Sequence, residues 1–200
     1  MLTLKKIIFK RGGLRVSGPE LKALIIAGMA GAGKTEFAQF CKSLGIPVIQ
    51  MGDLVREKVK DNGLEMTGRN VGKIANAERL KLGNDVWARR TVKRTGGRNT
   101  VIDGTRSEAE VAHFRERFGK DAIVVSVYAS ARTRYERLKA RNREDMPLTL
   151  GEFEERDRRE LGWGLGNVIA LSDRIVGNEG SIEELRQKIK ELLDELGFLS

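Results

Sequence analysis

Five short runs of aliphatic and β-branched residues recur along the chain, four of them closed or followed by Gly, Asp or Asn. They are KALIIAG (22–28), PVIQM (47–51), NTVIDG (99–104), DAIVVSVYA (121–129) and SDRIVGN (172–178). Runs that are apolar at successive positions, not at alternate ones, are strands covered on both faces. The segments between them repeat with helical period. Ser107 with Glu110 and Thr149 with Glu152 have capping-box spacing, and Ser181 with Glu184 opens a third helix. That helix carries Ile182, Leu185, Ile189, Leu192, Leu193 and Leu196 on one face, and Gly197 is placed to stop it. Strands alternating with helices predict a three-layer α/β/α fold around a parallel five-stranded sheet.

Two stretches depart from this rhythm. Residues 52–95 are helical and polar and fill one crossover between strands, which reads as an inserted flap. Residues 1–20, with Gly12 and Gly13 at their centre, read either as an N-terminal hairpin or as an extension; residues 21–200 form the remaining domain. No stretch approaches membrane-spanning length, and the N-terminal apolar run is too short for a signal peptide, so a cytoplasmic protein is expected. The single Cys41 excludes an intrachain disulfide, and with His113 as the one histidine any metal must be held by oxygen.

The chemistry concentrates after the first strand. GMAGAGKT, Gly28 to Thr35, has the spacing of a phosphate-binding loop: Gly28, Met29, Ala30, Gly31, Ala32, Gly33, Lys34 and Thr35 stand between a strand and a helix. Small residues let the chain wrap closely around phosphate oxygens while successive N–H groups point inward. The helix N-terminus adds positive partial charge. Lys34 is expected to reach the β- and γ-phosphates and Thr35 to ligate Mg²⁺. Asp103, ending the TVID run, is expected near that metal, orienting it through water or helping to activate an acceptor.

The chain resembles the nucleoside monophosphate kinases and the related dephospho-coenzyme A kinases over roughly residues 22–196. It is also similar to a mainly archaeal group of adenylate-kinase-related proteins. The likeness lies in MGDLVRE (51–57), VIDGTRS (101–107), YERLKARN (135–142) and LSDRIVGNEGSIEELRQKI (171–189). It implies a P-loop NTPase fold with an acceptor-binding flap at 52–95 and a helical-hairpin lid at 132–167. It implies ATP with Mg²⁺ as donor and a small phosphorylated acceptor. Asp53, Arg56 and Arg106 would then face the acceptor, with Arg69 and Asp85 as further flap candidates. Arg137 and the loop from Asn178 would lie by the donor base, and Lys34, Arg141 and Asp103 would act on the transferring group. The lid has no Cys cluster, which excludes a zinc-bearing form. The choice among Arg156, Arg158 and Arg159 to complete it stays open.

Net charge of +9, with 37 Lys and Arg against 28 Asp and Glu, keeps a second reading alive. The basic run RRTVKRTGGR (89–98) would suit RNA, and the protein would then be a nucleotide-gated switch. The third reading is a charge-rich solvated surface. Arg134 on the lid is either a phosphate ligand or part of such a surface. Trp87 and Trp163 are either packing residues or base-stacking platforms, with Trp163 beside the GWGLGN hinge the better stacking candidate. Cys41 and His113 read as structural. Nothing in the pattern sets the oligomeric state.

Overall fold

The computed structural model describes residues 21–140 and 149–199. The N-terminal segment 1–20 and Arg141, both assigned roles from sequence, lie outside the described residues. All five expected strands form, each within its expected run: β1 (Ala23–Ala27), β2 (Val48–Gln50), β3 (Thr100–Asp103), β4 (Ala122–Tyr128) and β5 (Arg174–Gly177). They make one parallel sheet in the order β2-β3-β1-β4-β5. Sequence order reverses across β1, and such a switch point opens a crevice at the carboxyl ends of the strands.

Alternation along β1 explains why every residue in it is apolar. Ala23, Ile25 and Ala27 pack into one core with Met51, Trp87, Phe114 and Leu165, whereas Leu24 and Ile26 enter the other with Phe37, Cys41, Ile189 and Leu193. The two cores correspond to the two helical layers. The second is built by α1 (Lys34–Ser43) and the C-terminal helix, whose N-cap Ser181 accepts a hydrogen bond from the Glu184 N–H. The Glu184 side chain does not return the bond in the way of a full capping box. Gly197, at φ +64°, ends that helix as the sequence indicates.

The crossover from β2 to β3 contains three helices, α2 (Met51–Asp61), α3 (Gly68–Leu82) and α4 (Val86–Val92). It is not a loosely attached flap: Leu54, Val55, Ala75, Val86 and Trp87 are buried in the first core. Trp87 is 1% exposed and its indole N–H donates to Ala75 O, so it is a packing residue. α5 (Glu108–Phe118) follows β3 and starts with the complete Ser107–Glu110 capping box. α6 (Ala131–Ala140) and α7 (Leu150–Gly162), the expected lid helices, pack on the loop after β1 through Leu138 and Phe153 against Ala30. Gly164, in the left-handed region at φ +95°, turns the chain from α7 into α8 (Leu165–Ala170), and α9 (Ile182–Glu195) closes the fold.

One buried ion pair ties the crossover to the helix that follows β3. Arg79 of α3 and Glu110 of α5, 5% and 0% exposed, meet at 2.8 Å. Glu110 Oε2 also accepts from the N–H groups of Arg106 (2.7 Å) and Ser107 (3.2 Å). Removing one partner leaves the other charge buried and unmatched. Glu110→Ala is therefore expected to cost about 3–5 kcal/mol of stability, far beyond an ordinary cap. Chemical denaturation monitored by circular dichroism measures it, and a loss of only about 1 kcal/mol would reduce the residue to its capping role.

Candidate active site

The crevice at the end of β1 is a cleft of about 310 Å³. Its floor is the glycine-rich loop with Ala30, Gly31, Gly33, Lys34 and Thr35; Asp103 and Gly104 also line it, as do Arg56 from α2, Arg106 from the loop after β3 and Arg156 from α7.

The loop's bare composition has a steric reason. Gly28, Gly31 and Gly33 all have positive φ, at +141°, +82° and +113°. A Cβ on Gly31 would stand 2.7 Å from the Arg134 carbonyl oxygen, and one on Gly33 would collide with the Asn178 amide. Asn178 in turn donates through Nδ2 to Ala32 O at 2.8 Å, so the end of β5 fixes the loop from behind. Arg137 donates to Asn178 O at 3.0 Å, which places it beside the loop at 178–180. These two residues sit together as expected, but neither lines the cleft.

Lys34 Nζ donates to Gly28 O (2.6 Å) and Met29 O (3.0 Å), folded over its own loop. Burial pushes its ammonium down to about 8, while the Glu160 and Asp103 carboxylates oppose the shift and Arg106 and Arg156 add to it. Asp103 is shifted the other way: burial raises its carboxyl above the usual range, against the pull of Lys34, Arg106 and Arg56. Its Oδ1 is buried and, among the described residues, accepts no hydrogen bond. A buried oxygen of this kind, in a cleft that Thr35 also lines, is a fitting place for a hydrated divalent cation.

Arg106 reaches the cleft from a loop whose backbone is fixed by Glu110. Arg56 lines it too, and it is paired with Asp53 at 2.6 Å on the same helix. Asp53 itself does not line the cleft, and Arg69 is exposed on the first turn of α3, away from it. Of the three lid arginines, Arg156 lines the cleft. Arg158 points to solvent with Glu154 at 3.0 Å, and Arg159 packs on Gly72 of α3. Arg134 is neither a solvated residue nor a phosphate ligand. Only 5% exposed, it makes two parallel bonds to Asp157 (2.9 and 2.7 Å) and a third to Ala30 O, joining both lid helices to the loop.

Sequence reading missed Glu160. It is 3% exposed on α7, with Oε1 at 3.3 Å from Arg156 Nε and 3.5 Å from Arg106 Nε. Burial works to raise its pKa, but Arg106, Arg156 and Lys34 together overcome that and hold it at about 2. In sequence, Arg156 and Glu160 look like any surface pair four residues apart on a helix. Trp163, one turn on, is not open for a base: the guanidinium carbons of Arg79 and Arg106 lie 4.6 and 5.9 Å from its ring centre. Cys41 is fully buried against the second core, and burial pushes its thiol up to about 12.

Comparison with known proteins agrees with this geometry. A family model described as an AAA domain matches residues 27–150, which include the phosphate loop, the crossover and the start of the lid. The fold is that of the P-loop kinases. Shikimate kinase from Acinetobacter baumannii, in complex with shikimate, superposes with a TM-score of 0.60 at 17% identity, covering 88% of this chain and 94% of that one. A gluconokinase from Sinorhizobium meliloti gives 0.54 at 17% identity, over 90% and 98%. A UPF0200 protein of Methanoculleus marisnigri is 45% identical over 180 residues, 88% of this chain and 98% of its own length. The chain belongs to the UPF0200 family.

Two expectations follow from the loop. Gly31→Ala forces a side chain into a left-handed turn against backbone, at a strain of about 1–3 kcal/mol, and should weaken nucleotide binding by about 10- to 100-fold; calorimetric titration with ATP checks this. Lys34 carries its charge below about 8 and loses it above, so ATP affinity should fall as pH rises through that value. Affinity flat from pH 7 to 9.5 would show that the ammonium stays protonated throughout.

Proposed function

We propose that the protein transfers a phosphoryl group from ATP, with Mg²⁺, to a small phosphorylated acceptor such as a nucleoside monophosphate or a dephospho-coenzyme A-like molecule. The observation that carries this is the distribution of cations. Lys34 and the loop N–H groups form one wall, and Arg56, Arg106 and Arg156 from three further elements line the rest. A hydrolase needs the first wall, and a second anionic substrate needs the others. Phosphoryl transfer is governed by positioning and by neutralising anionic oxygens, which is what forked guanidinium groups supply.

In this reading the loop amides from Gly28 to Thr35 cradle the donor phosphates, and Lys34 exchanges the carbonyls of Gly28 and Met29 for phosphate oxygens. Thr35 and Asp103 would hold Mg²⁺, which supplies charge neutralisation between donor phosphates. Arg137 and Asn178 border the donor side, Arg56 and Arg106 bind the acceptor, and α6 and α7 close as the lid and keep water out. Arg141, on the chain between them, is assigned to the transferring group from sequence alone. Asp53 orients Arg56, and Arg69, exposed on the first turn of α3, stays a candidate for the acceptor from sequence alone.

The RNA-switch reading draws no comparable support. Within the basic run, Arg89 pairs with Asp85, Arg90 pairs with Glu78 and stacks on Trp87, and Arg94 makes two bonds to Glu57. Among the described residues no helix is long and apolar enough to cross a membrane.

ATP turnover with Mg²⁺ against nucleoside monophosphates, dephospho-coenzyme A and shikimate, with phosphorylated product separated from free phosphate, tests the proposal. Lys34→Ala should abolish transfer, and Arg106→Ala should mainly raise the acceptor KM, by about tenfold or more. Free phosphate formed at a rate no acceptor changes would refute the kinase reading.

A further inference from the structure

Arg106 and Arg156 belong to different parts of the molecule, the loop after β3 and the lid helix α7, yet they come together. Like charges brought side by side in a partly buried cleft repel unless something stands between them. Glu160 does so. Its carboxylate is sealed from solvent, contacts both guanidinium groups through Oε1, and is not itself part of the cleft lining. Arg106 is fixed independently at two other points: its N–H donates to Glu110, and its guanidinium lies 5.9 Å from the ring of Trp163 at the end of α7. The Trp163 indole N–H donates to Asn76 of α3 at 3.4 Å, and Arg79, which stacks on the same ring, pairs with Glu110. α3, α5 and α7 therefore converge on one arginine, and Glu160 is where the lid helix enters that network.

Building on the kinase reading, we propose that Glu160 is a positioning residue that assembles Arg106 and Arg156 into one two-arginine site for an anionic group of the acceptor, a phosphate or carboxylate. The site is composite. Half comes from the sheet and half from the lid, so the acceptor anion is bound only where α7 lies over the β3 loop, and lid closure and acceptor binding are a single event. A neutral acceptor has nothing to offer this pair. Glu160 stays ionised throughout, held well below the ordinary carboxylate range by the same arginines and Lys34.

The test uses inorganic sulfate as an acceptor-anion probe, titrated calorimetrically into the full chain with AMP-PNP and Mg²⁺ filling the phosphate loop, and repeated without nucleotide. Glu160→Gln keeps the shape of the side chain and removes its charge. It should weaken sulfate binding about tenfold, while Glu160→Asp restores most of it. On an Arg106→Ala/Arg156→Ala background the same substitution should add nothing, because it acts through those arginines. A second readout separates positioning from mere support of the fold. In Glu160→Gln the sulfate dissociation constant should rise while AMP-PNP affinity stays at its wild-type value, a split that a general loss of fold support would not produce.

Sulfate binding that is unchanged or tighter in a Glu160→Gln protein with wild-type melting temperature overturns the proposal; tighter binding would make the carboxylate a competitor of the acceptor. Should that variant not fold, Arg156→Gln is read in its place, and undiminished sulfate binding there overturns it equally. Failure of the wild type to bind AMP-PNP refutes the nucleotide reading alone, because the nucleotide-free sulfate comparison does not depend on it.

Discussion

Positive charge crowded at the carboxyl end of β1 is the constraint around which the rest of the molecule is arranged. Lys34, Arg106 and Arg156 share a cleft with Arg56, and an uncompensated cation costs several kcal/mol to take out of water. The fold answers with carboxylates drawn from separate elements: Asp103 from β3, Glu160 from α7 and Asp53 from α2. Asp103 Oδ1 and Glu160 Oε2 have no hydrogen-bond partner among the described residues, so the balance has room for anionic ligands with their cations.

The same economy appears in how the loop is held. Side chains at Gly28, Gly31 and Gly33 would collide with neighbouring atoms, so within GMAGAGKT the side-chain clamp is Lys34, on the carbonyls of Gly28 and Met29. The loop is also held from outside, by Asn178 on Ala32 O and by Arg134 on Ala30 O. Arg134 is itself set by Asp157 of the opposite lid helix. A movement of α7 is thus transmitted to the loop through a buried ion pair and to the β3 loop through Glu160. α7, the glycine-rich loop and the β3 loop are joined by direct contacts, although they lie far apart in the chain.

The sheet was legible in the sequence because doubly covered strands must be apolar at successive positions, and five such runs stand out against polar helices. The phosphate loop was legible because its geometry admits few residue types. Asp103 came from its position at a strand end, and Arg106 from the likeness of VIDGTRS to the corresponding kinase segment. The lid was harder. Arg134, Arg137, Arg156, Arg158 and Arg159 all have helical spacing, and spacing says which residues share a face but not what that face meets. The structure separates them by partner: Asp157 for Arg134, the 178–180 loop for Arg137, the cleft for Arg156, solvent for Arg158 and α3 for Arg159. Glu160 stayed hidden for the same reason, since a buried carboxylate between two arginines and a surface ion pair share one pattern. The crossover from β2 to β3 read as a polar flap because its apolar residues are few, yet those few, Trp87 above all, are deep in the core.

Cys41 has a practical corollary. The thiol is enclosed by the packing of α1 on the sheet and holds its proton up to about pH 12, so thiolate chemistry is closed to it in the folded protein. As it is the chain's one cysteine, the native sequence is already silent towards maleimides and similar reagents. A single cysteine placed on an exposed lid position such as Glu155 would be the sole reactive thiol. A fluorophore or spin label there would report lid motion without any prior removal of native residues.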